Sequence, residues 1–381
     1  MRAYILFVGF FVLGYFNLYS KHLESDTIEV KHKKNIFGRV IEYFQKSNDV
    51  DPDKKFDISF IGGPHYSSDT KLGLGLVASG LYRVDRSDMT ISPSNVSIYG
   101  DFTTSGFYML GIRGNTIFKN EDYRIDADMF FSSFPSRYWG IGYQKGRDDI
   151  YTKYKREDIQ VKLDFHRKIA RYTYVGATGI FQRVNGKNFD DISFLNGETP
   201  HVTAGGFGFI FSYDSRDFIP NPYSGIYAKI EQTFYPKFLG ASNFYNRTEI
   251  IGRYYNHVWN NGVIAAEVQG VFNNGNIPWA MMAMVGSSHQ MRGYYEGQYR
   301  DKKLIQTQVE LRQKVYRRNG IALWVGAGNV FSKFKNFAWK ETLPTYGVGY
   351  RWEFKNRINV RLDYGFGKGQ SAFYFNINEA F

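Results

Sequence analysis

The segment Arg357-Ile358-Asn359-Val360-Arg361-Leu362-Asp363-Tyr364 alternates polar and apolar residues without a fault. Successive side chains of a strand point to opposite faces, so one face of this segment is charged and the other wholly apolar. Asp158-Ile159-Gln160-Val161-Lys162-Leu163-Asp164-Phe165-His166 repeats the pattern, as does Arg124-Ile125-Asp126-Ala127-Asp128-Met129. One or two such strands would suit a half-exposed soluble sheet. A long array of them, with no amphipathic helix among them to cover the apolar faces, requires another apolar solvent. Lipid is that solvent, and a closed barrel leaves no unpaired edge in it. Residues 57–381 therefore read as an all-β, 16-stranded antiparallel transmembrane β-barrel.

Composition agrees. Cysteine is absent, which removes disulfides and thiolate metal sites. Aromatic residues make up 18% of the chain, a mix that suits membrane-interface girdles. Past residue 20 no apolar run approaches the roughly 20 residues of a spanning helix, which excludes a helical membrane protein. The net charge of +12 comes from Lys and Arg scattered singly along the chain, so a nucleic-acid partner is not expected. Lumen lining and contact with anionic headgroups suit such a charge better. Ligand-type residues are dispersed and no phosphate-cradling Gly-Lys-Ser/Thr motif occurs, so neither a metal nor a cofactor is expected.

Sixteen strands are expected near 70–82, 93–103, 106–117, 122–133, 136–146, 156–168, 171–185, 203–216, 223–235, 243–258, 261–272, 304–317, 319–331, 344–354, 357–368 and 371–381. Asp57–Tyr66 is a seventeenth segment or a lead-in. Short turns such as Lys355-Asn356 alternate with longer links such as Gly186 to Thr199, the rhythm of short periplasmic turns and long external loops.

At the other end, Met1-Arg2 precedes an apolar stretch from Tyr4 to Phe16 and a more polar Asn17–Lys21. This order reads as a secretory signal over residues 1–20, cut after Ser20, in a Gram-negative envelope. Residues 21–56 read as a periplasmic segment. Within it Ile36, Phe37, Val40, Ile41 and Phe44 share one face of a short amphipathic helix. That helix lies at the periplasmic interface, against the barrel mouth, or on a neighbouring domain; the sequence does not choose.

Three further stretches carry a resemblance. The connection between the strands ending near 272 and starting near 304 spans about 30 residues, a length that is usually functional. It contains Met291-Arg292-Gly293-Tyr294. This tetrapeptide resembles the Val/Ile-Arg-Gly-Phe/Tyr motif of the BamA/TamA family of outer-membrane assembly and secretion barrels. In that family the loop folds into the lumen between the eleventh and twelfth of sixteen strands, where the count above also puts it. Gly208 to Asp217, followed by Pro222-Tyr223-Ser224-Gly225, is similar to the family's mid-barrel Asp-x-Arg strand and turn, here Asp214 and Arg216. The last segment, with Phe373, Phe375, Ile377 and Phe381 on one face, resembles the C-terminal signal by which barrels are recognised for insertion.

The resemblance covers most of the chain. It implies an outer-membrane protein, not an enzyme, that inserts, assembles or translocates proteins or lipids through a lumen loop and a seam between first and last strands. Its partners would be client outer-membrane or secreted proteins, together with outer-membrane lipid and lipopolysaccharide. The glycine-rich Lys71–Gly80 would serve as the weak first strand of the seam, or its glycines would serve only curvature. The family's loop Arg meets a Glu on the next strand, which Glu310 matches, and an Asp on the one after. A bidentate Arg292–Glu310 pair would pin the loop. Gly326 stands where that Asp belongs, so the clamp is looser or borrows Asp363 or Asp214. Family members also carry periplasmic polypeptide-transport (POTRA) domains, for which Lys21–Phe56 is too short.

Two other readings stand beside this one. Inward Arg124, Asp126, Asp128, Lys162, Arg253, Arg361 and Asp363 would line the lumen of a passive channel. Ser287-Ser288-His289 would suit a membrane-embedded hydrolase, but no Gly-x-Ser-x-Gly elbow occurs.

Overall fold

The computed structural model describes residues 56–67, 71–85, 91 and 93–381. The strands are β1 (Phe56–Ser67), β2 (Lys71–Tyr82), β3 (Ser94–Thr103), β4 (Tyr108–Ile117), β5 (Tyr123–Tyr138), β6 (Thr152–Ala170), β7 (Thr173–Lys187), β8 (His201–Asp214) and β9 (Gly225–Tyr235). They continue with β10 (Tyr245–Trp259), β11 (Gly262–Gly275), the two-residue β12 (Ala283–Met284) and β13 (Arg300–Asp301), β14 (Lys303–Tyr316), β15 (Asn319–Phe331), β16 (Leu343–Lys355), β17 (Ile358–Gly367) and β18 (Gln370–Ile377). A short helix, α1, spans Tyr143–Asp148. Sixteen strands form one sheet in chain order, each antiparallel to the next, with β14 following β11; β12 and β13 pair apart from it. This is the expected 16-stranded antiparallel transmembrane barrel.

The alternation read from sequence becomes an inside and an outside. On β6, Val161, Leu163 and Phe165 are 37–46% exposed, whereas Asp158 and His166 are buried. On β14, Val309 faces out while Gln306, Gln308, Glu310 and Arg312 are buried in the lumen. Large apolar side chains pointing outward along strand after strand belong in hydrocarbon. Two-residue turns at 171–172, 260–261, 317–318 and 356–357 mark the periplasmic end. The longer connections 139–151, 188–200, 276–302 and 332–342 lie at the opposite, external end.

Two strand assignments change. The expected strands near 122–133 and 136–146 are one strand, β5, followed by α1. Pro135, which lies between the two expected strands, pairs only with β6, because β5 has outrun β4 after Ser133. A proline that faces no partner on one side removes no ladder bond. Gly140 and Gly142, at φ 97° and 103°, then turn the chain out of the sheet. Asp57–Tyr66 lies within β1, the first strand among the described residues. The glycine-rich Lys71–Gly80 is therefore β2, paired on both sides with β1 and β3, and is not a seam strand. The two changes offset each other, so the long connection still follows the eleventh barrel strand. The export signal over 1–20 and the amphipathic helix within 21–56 lie outside the described residues, of which Phe56 opens β1.

Candidate functional site

The connection 276–302 folds back into the lumen. Its first turn, Trp279–Met281, seats the Trp279 ring 5.1 Å from Tyr138, 5.5 Å from Tyr154 and 6.0 Å from Phe189. Its return leg packs on α1. Gln298 Nε2 donates to the Gly146 carbonyl at 2.9 Å, and Tyr143 stacks on Tyr299 at 5.6 Å. A Cβ at Gly146 would lie 2.6 Å from the Gln298 carbonyl oxygen, so this helix face must be bare.

Between these legs lies the tetrapeptide. Met291 is left-handed at φ 49° and buried. Its thioether fills the space over Gly328, where a Cβ would sit 2.9 Å from the sulfur. Arg292 is wholly buried, and its guanidinium spans two strands. Nη2 donates to Glu310 Oε2 on β14 at 2.6 Å, and Nη1 donates to Asp363 Oδ2 on β17 at 2.6 Å. The guanidinium also lies 3.7 Å from the ring centroid of Trp324, and the Arg292 carbonyl accepts from Thr345 Oγ1. Gly293, at φ 106°, passes so close to β17 that a Cβ would fall 2.5 Å from the Phe366 carbonyl carbon. Its N–H donates to Tyr374 Oη at 2.9 Å. Tyr294 Oη donates to the Pro344 carbonyl at 2.6 Å and accepts from Lys368 N–H at 2.9 Å.

Of the arrangements left open, the clamp is the one that borrows an acid and not a bidentate Arg292–Glu310 pair: one prong of the fork goes to each of two acids. The second acid is Asp363. Asp214 is occupied elsewhere, and Gly326 has no room, since a Cβ there would meet the Thr307 carbonyl oxygen at 2.5 Å and Thr345 Cγ2 at 3.0 Å.

The two acids belong to a larger network. Arg351 Nη1 donates to Asp363 Oδ1 at 2.6 Å, and Arg361 Nη1 to Asp363 Oδ2 at 2.7 Å. Arg312 Nε donates to Glu310 Oε1 at 2.8 Å, and Arg351 Nε to Glu379 Oε2 at 2.8 Å. All seven side chains are at most 7% exposed. Charges this deep persist only when mutually paired. Each guanidinium here touches at least one carboxylate.

Glu379 exposes a second departure. Phe373 is 56% exposed and faces lipid, as expected, but β18 ends at Ile377 and Asn378 is left-handed at φ 68°. The chain then enters the lumen, where Phe381 packs with Tyr255 and its carbonyl accepts from Arg312 Nη2 at 2.9 Å. Phe381 thus does not share the outward face of Phe373, Phe375 and Ile377. Continuing the strand would have put the Glu379 carboxylate into hydrocarbon, and that misplaced charge was the signal in the sequence. Trp324, Thr345 and Tyr374 left no comparable signal, because their role is set by distances across four strands.

The mid-barrel motif lies apart from the clamp. Arg216 binds Asp214 through Nε at 2.8 Å and Nη2 at 2.9 Å, and Arg124 Nη1 reaches the same carboxylate at 2.9 Å. These residues border a polar cavity of about 300 Å³ that Arg113, Asp126, Asp128, Lys162 and Asp164 also line. Ser288 Oγ and His289 Nδ1 lie 3.0 Å apart, but among the described residues no carboxylate or carboxamide bonds the imidazole to complete a triad. Among those residues no group of three or more His, Asp or Glu is placed to hold a metal.

With this geometry in hand, comparison with known proteins is specific. The family model of the Omp85 superfamily domain matches residues 105–381. No curated protein sequence matches the chain. Among solved structures, the chain is similar to BamA from Haemophilus ducreyi lacking POTRA domains 1–3, at TM-score 0.55 and 12% identity over 85% of this chain and 70% of that one. It is similar to CdiB from Escherichia coli at TM-score 0.56 and 10% identity, and to CdiB from Acinetobacter baumannii at 0.54 and 10%. Each of these two alignments covers 86% of this chain, but only 63% and 60% of the respective CdiB chains. At such identities the likeness establishes the fold.

Proposed function

Since the chain belongs to the Omp85 superfamily and is an outer-membrane protein, we propose that it inserts, assembles or translocates polypeptide at the outer membrane. Its partners on this reading are client outer-membrane or secreted proteins, with the surrounding lipid and lipopolysaccharide as solvent, and it performs no covalent chemistry. The observation that carries the proposal is the bonding of the lumen loop to the last strand. Gly293 N–H donates to Tyr374, and Tyr295 N–H to Gln370 Oε1 at 2.8 Å, both on β18. A loop held by Arg292 and tied to β18 is placed to sense or set that strand's position. At the other side of the seam, β1 contains Gly62-Gly63-Pro64. Proline lacks an N–H, and glycines weaken a strand, so this edge offers a poor ladder for β18.

The test is a disulfide lock. One cysteine in β1 and one in β18 are introduced into a chain that has none, and the outer-membrane and secreted proteomes of cells depending on that variant are measured with and without reductant. Loss of client proteins that reductant reverses is expected. Unchanged proteomes with the seam locked shut would count decisively against it. The polar cavity beside Asp214 favours a second reading, a passive channel. Steady, large, ion-selective conductance in planar bilayers would support that reading and weaken the first.

A further inference from the structure

A patch that the clamp does not use lies at the external end, on the connection 332–342 between β15 and β16. It reads Ser332-Lys333-Phe334-Lys335-Asn336-Phe337-Ala338-Trp339-Lys340-Glu341-Thr342. Lys333, Lys335 and Lys340 are exposed, and among the described residues none of them is ion-paired, not even to the nearby acids Asp301 and Glu341. Phe334 is 63% and Trp339 82% exposed. The loop is nonetheless well packed at its base. Ring contacts run from Phe272 to Phe334 at 5.4 Å, Phe334 to Phe331 at 5.7 Å, Phe331 to Phe337 at 5.4 Å and Phe337 to Trp339 at 5.0 Å. Asn329 Nδ2 donates to the Ala338 carbonyl at 2.9 Å, and Asn336 Nδ2 to Ser332 Oγ at 2.7 Å. On the same outer wall Val325, Tyr346 and Val348 are 62%, 53% and 48% exposed, within the lipid-facing band.

Exposed aromatics interleaved with unpaired ammonium groups, directly above a lipid-facing wall, match one environment: the boundary where acyl chains give way to anionic headgroups. A soluble partner would not need the aromatics at that depth, and a bare apolar contact would not need the lysines. We propose that this rim is a binding site for a phosphorylated glycolipid of the outer leaflet. Lys333, Lys335 and Lys340 hold its phosphates, and Phe334 and Trp339 rest on its sugars and upper acyl chains. The site rests on the external assignment of the longer connections and is independent of the insertion activity.

The test uses the purified full chain in detergent, titrated with diphosphorylated lipid A and with its dephosphorylated form, bound lipid being counted by native mass spectrometry. Each lysine near an anionic surface strengthens binding about fivefold. K333Q/K335Q/K340Q should therefore weaken binding of the diphosphorylated form by on the order of a hundredfold and flatten its salt dependence. W339S should weaken both forms while leaving that salt dependence in place. The heat-modifiable gel shift of each variant verifies that the barrel is folded. The proposal is overturned if the folded triple variant binds diphosphorylated lipid A as tightly as the parent, or if the parent binds the dephosphorylated form equally well. Displacement of the lipid by millimolar inorganic phosphate would also overturn it, since the site would then be one for free phosphate.

Discussion

Arg292 shows how much one side chain is asked to do. It bridges Glu310 on β14 to Asp363 on β17 with a 2.6 Å bond to each, from a loop with no ladder of its own beyond β12 and β13; Arg351 spans the same two acids from β16 at 3.4 and 2.6 Å. Truncating one partner of a buried ion pair typically costs about 3–5 kcal/mol. Arg292→Ala should fall near the lower end of that range, because Arg312, Arg351 and Arg361 still neutralise the two acids. Urea unfolding of the folded barrel measures this, and Arg292→Lys should fail to restore stability, since an ammonium is a point charge and cannot fork. His289, three residues upstream of Arg292, offers a pH handle. Burial, and then the guanidinium groups of Arg361, Arg113, Arg253 and Arg292, hold its imidazole well below the usual range. The unfolded chain, with a histidine pKa of about 6.5, then binds the proton more readily than the tucked loop. Acidification through about pH 6.5 should therefore loosen the loop, and neutral pH should restore it. Hydrogen exchange of residues 289–294, corrected for intrinsic rates, should rise as pH falls, and His289→Asn should remove the rise. Exchange that stays flat in the parent would rule this out.

At the scale of elements, the strand alternation is strict enough to predict the cost of breaking it. Phe209, 63% exposed on β8, faces hydrocarbon, while its neighbours Gly208 and Ile210 face the lumen. A charged Arg on the lipid face near midplane costs about 2–4 kcal/mol. Phe209→Arg should lose that much stability in lipid vesicles, whereas Phe209→Leu should change little. Most strands were legible for the same reason, since period two persists wherever one face meets lipid. The exceptions are instructive. Two expected strands, 122–133 and 136–146, run together as β5, and the register with β4 shows that the missing donor of Pro135 faces no partner. Residues 143–146, the end of the strand expected near 136–146, lie in α1 instead. The bare face of Gly146 against Gln298 decides for a helix, and that contact joins positions far apart in the chain.

At the scale of the whole molecule, the lumen has two parts. The β14–β18 side is filled by the loop and the network, and the side lined by Asp214, Arg124 and Lys162 keeps its polar cavity. Removing the loop from β12 through β13 should convert a small, erratic conductance into a larger and steadier one in planar bilayers. An unaltered trace would mean that the loop does not occlude the barrel. The sequence by itself determined the membrane class, the sixteen-strand architecture, the lumen-loop motif and Glu310 as one of its partners, because alternation and short motifs are local properties of the chain. Only the tertiary structure decided that Asp363 is the second acid, that β1 and not β2 is the first strand, and that residues 378–381 turn inward. Each of those outcomes depends on how the strands pair and on which residues meet inside the barrel. A buried charge takes the partner that space brings within hydrogen-bonding reach, whatever its separation along the chain.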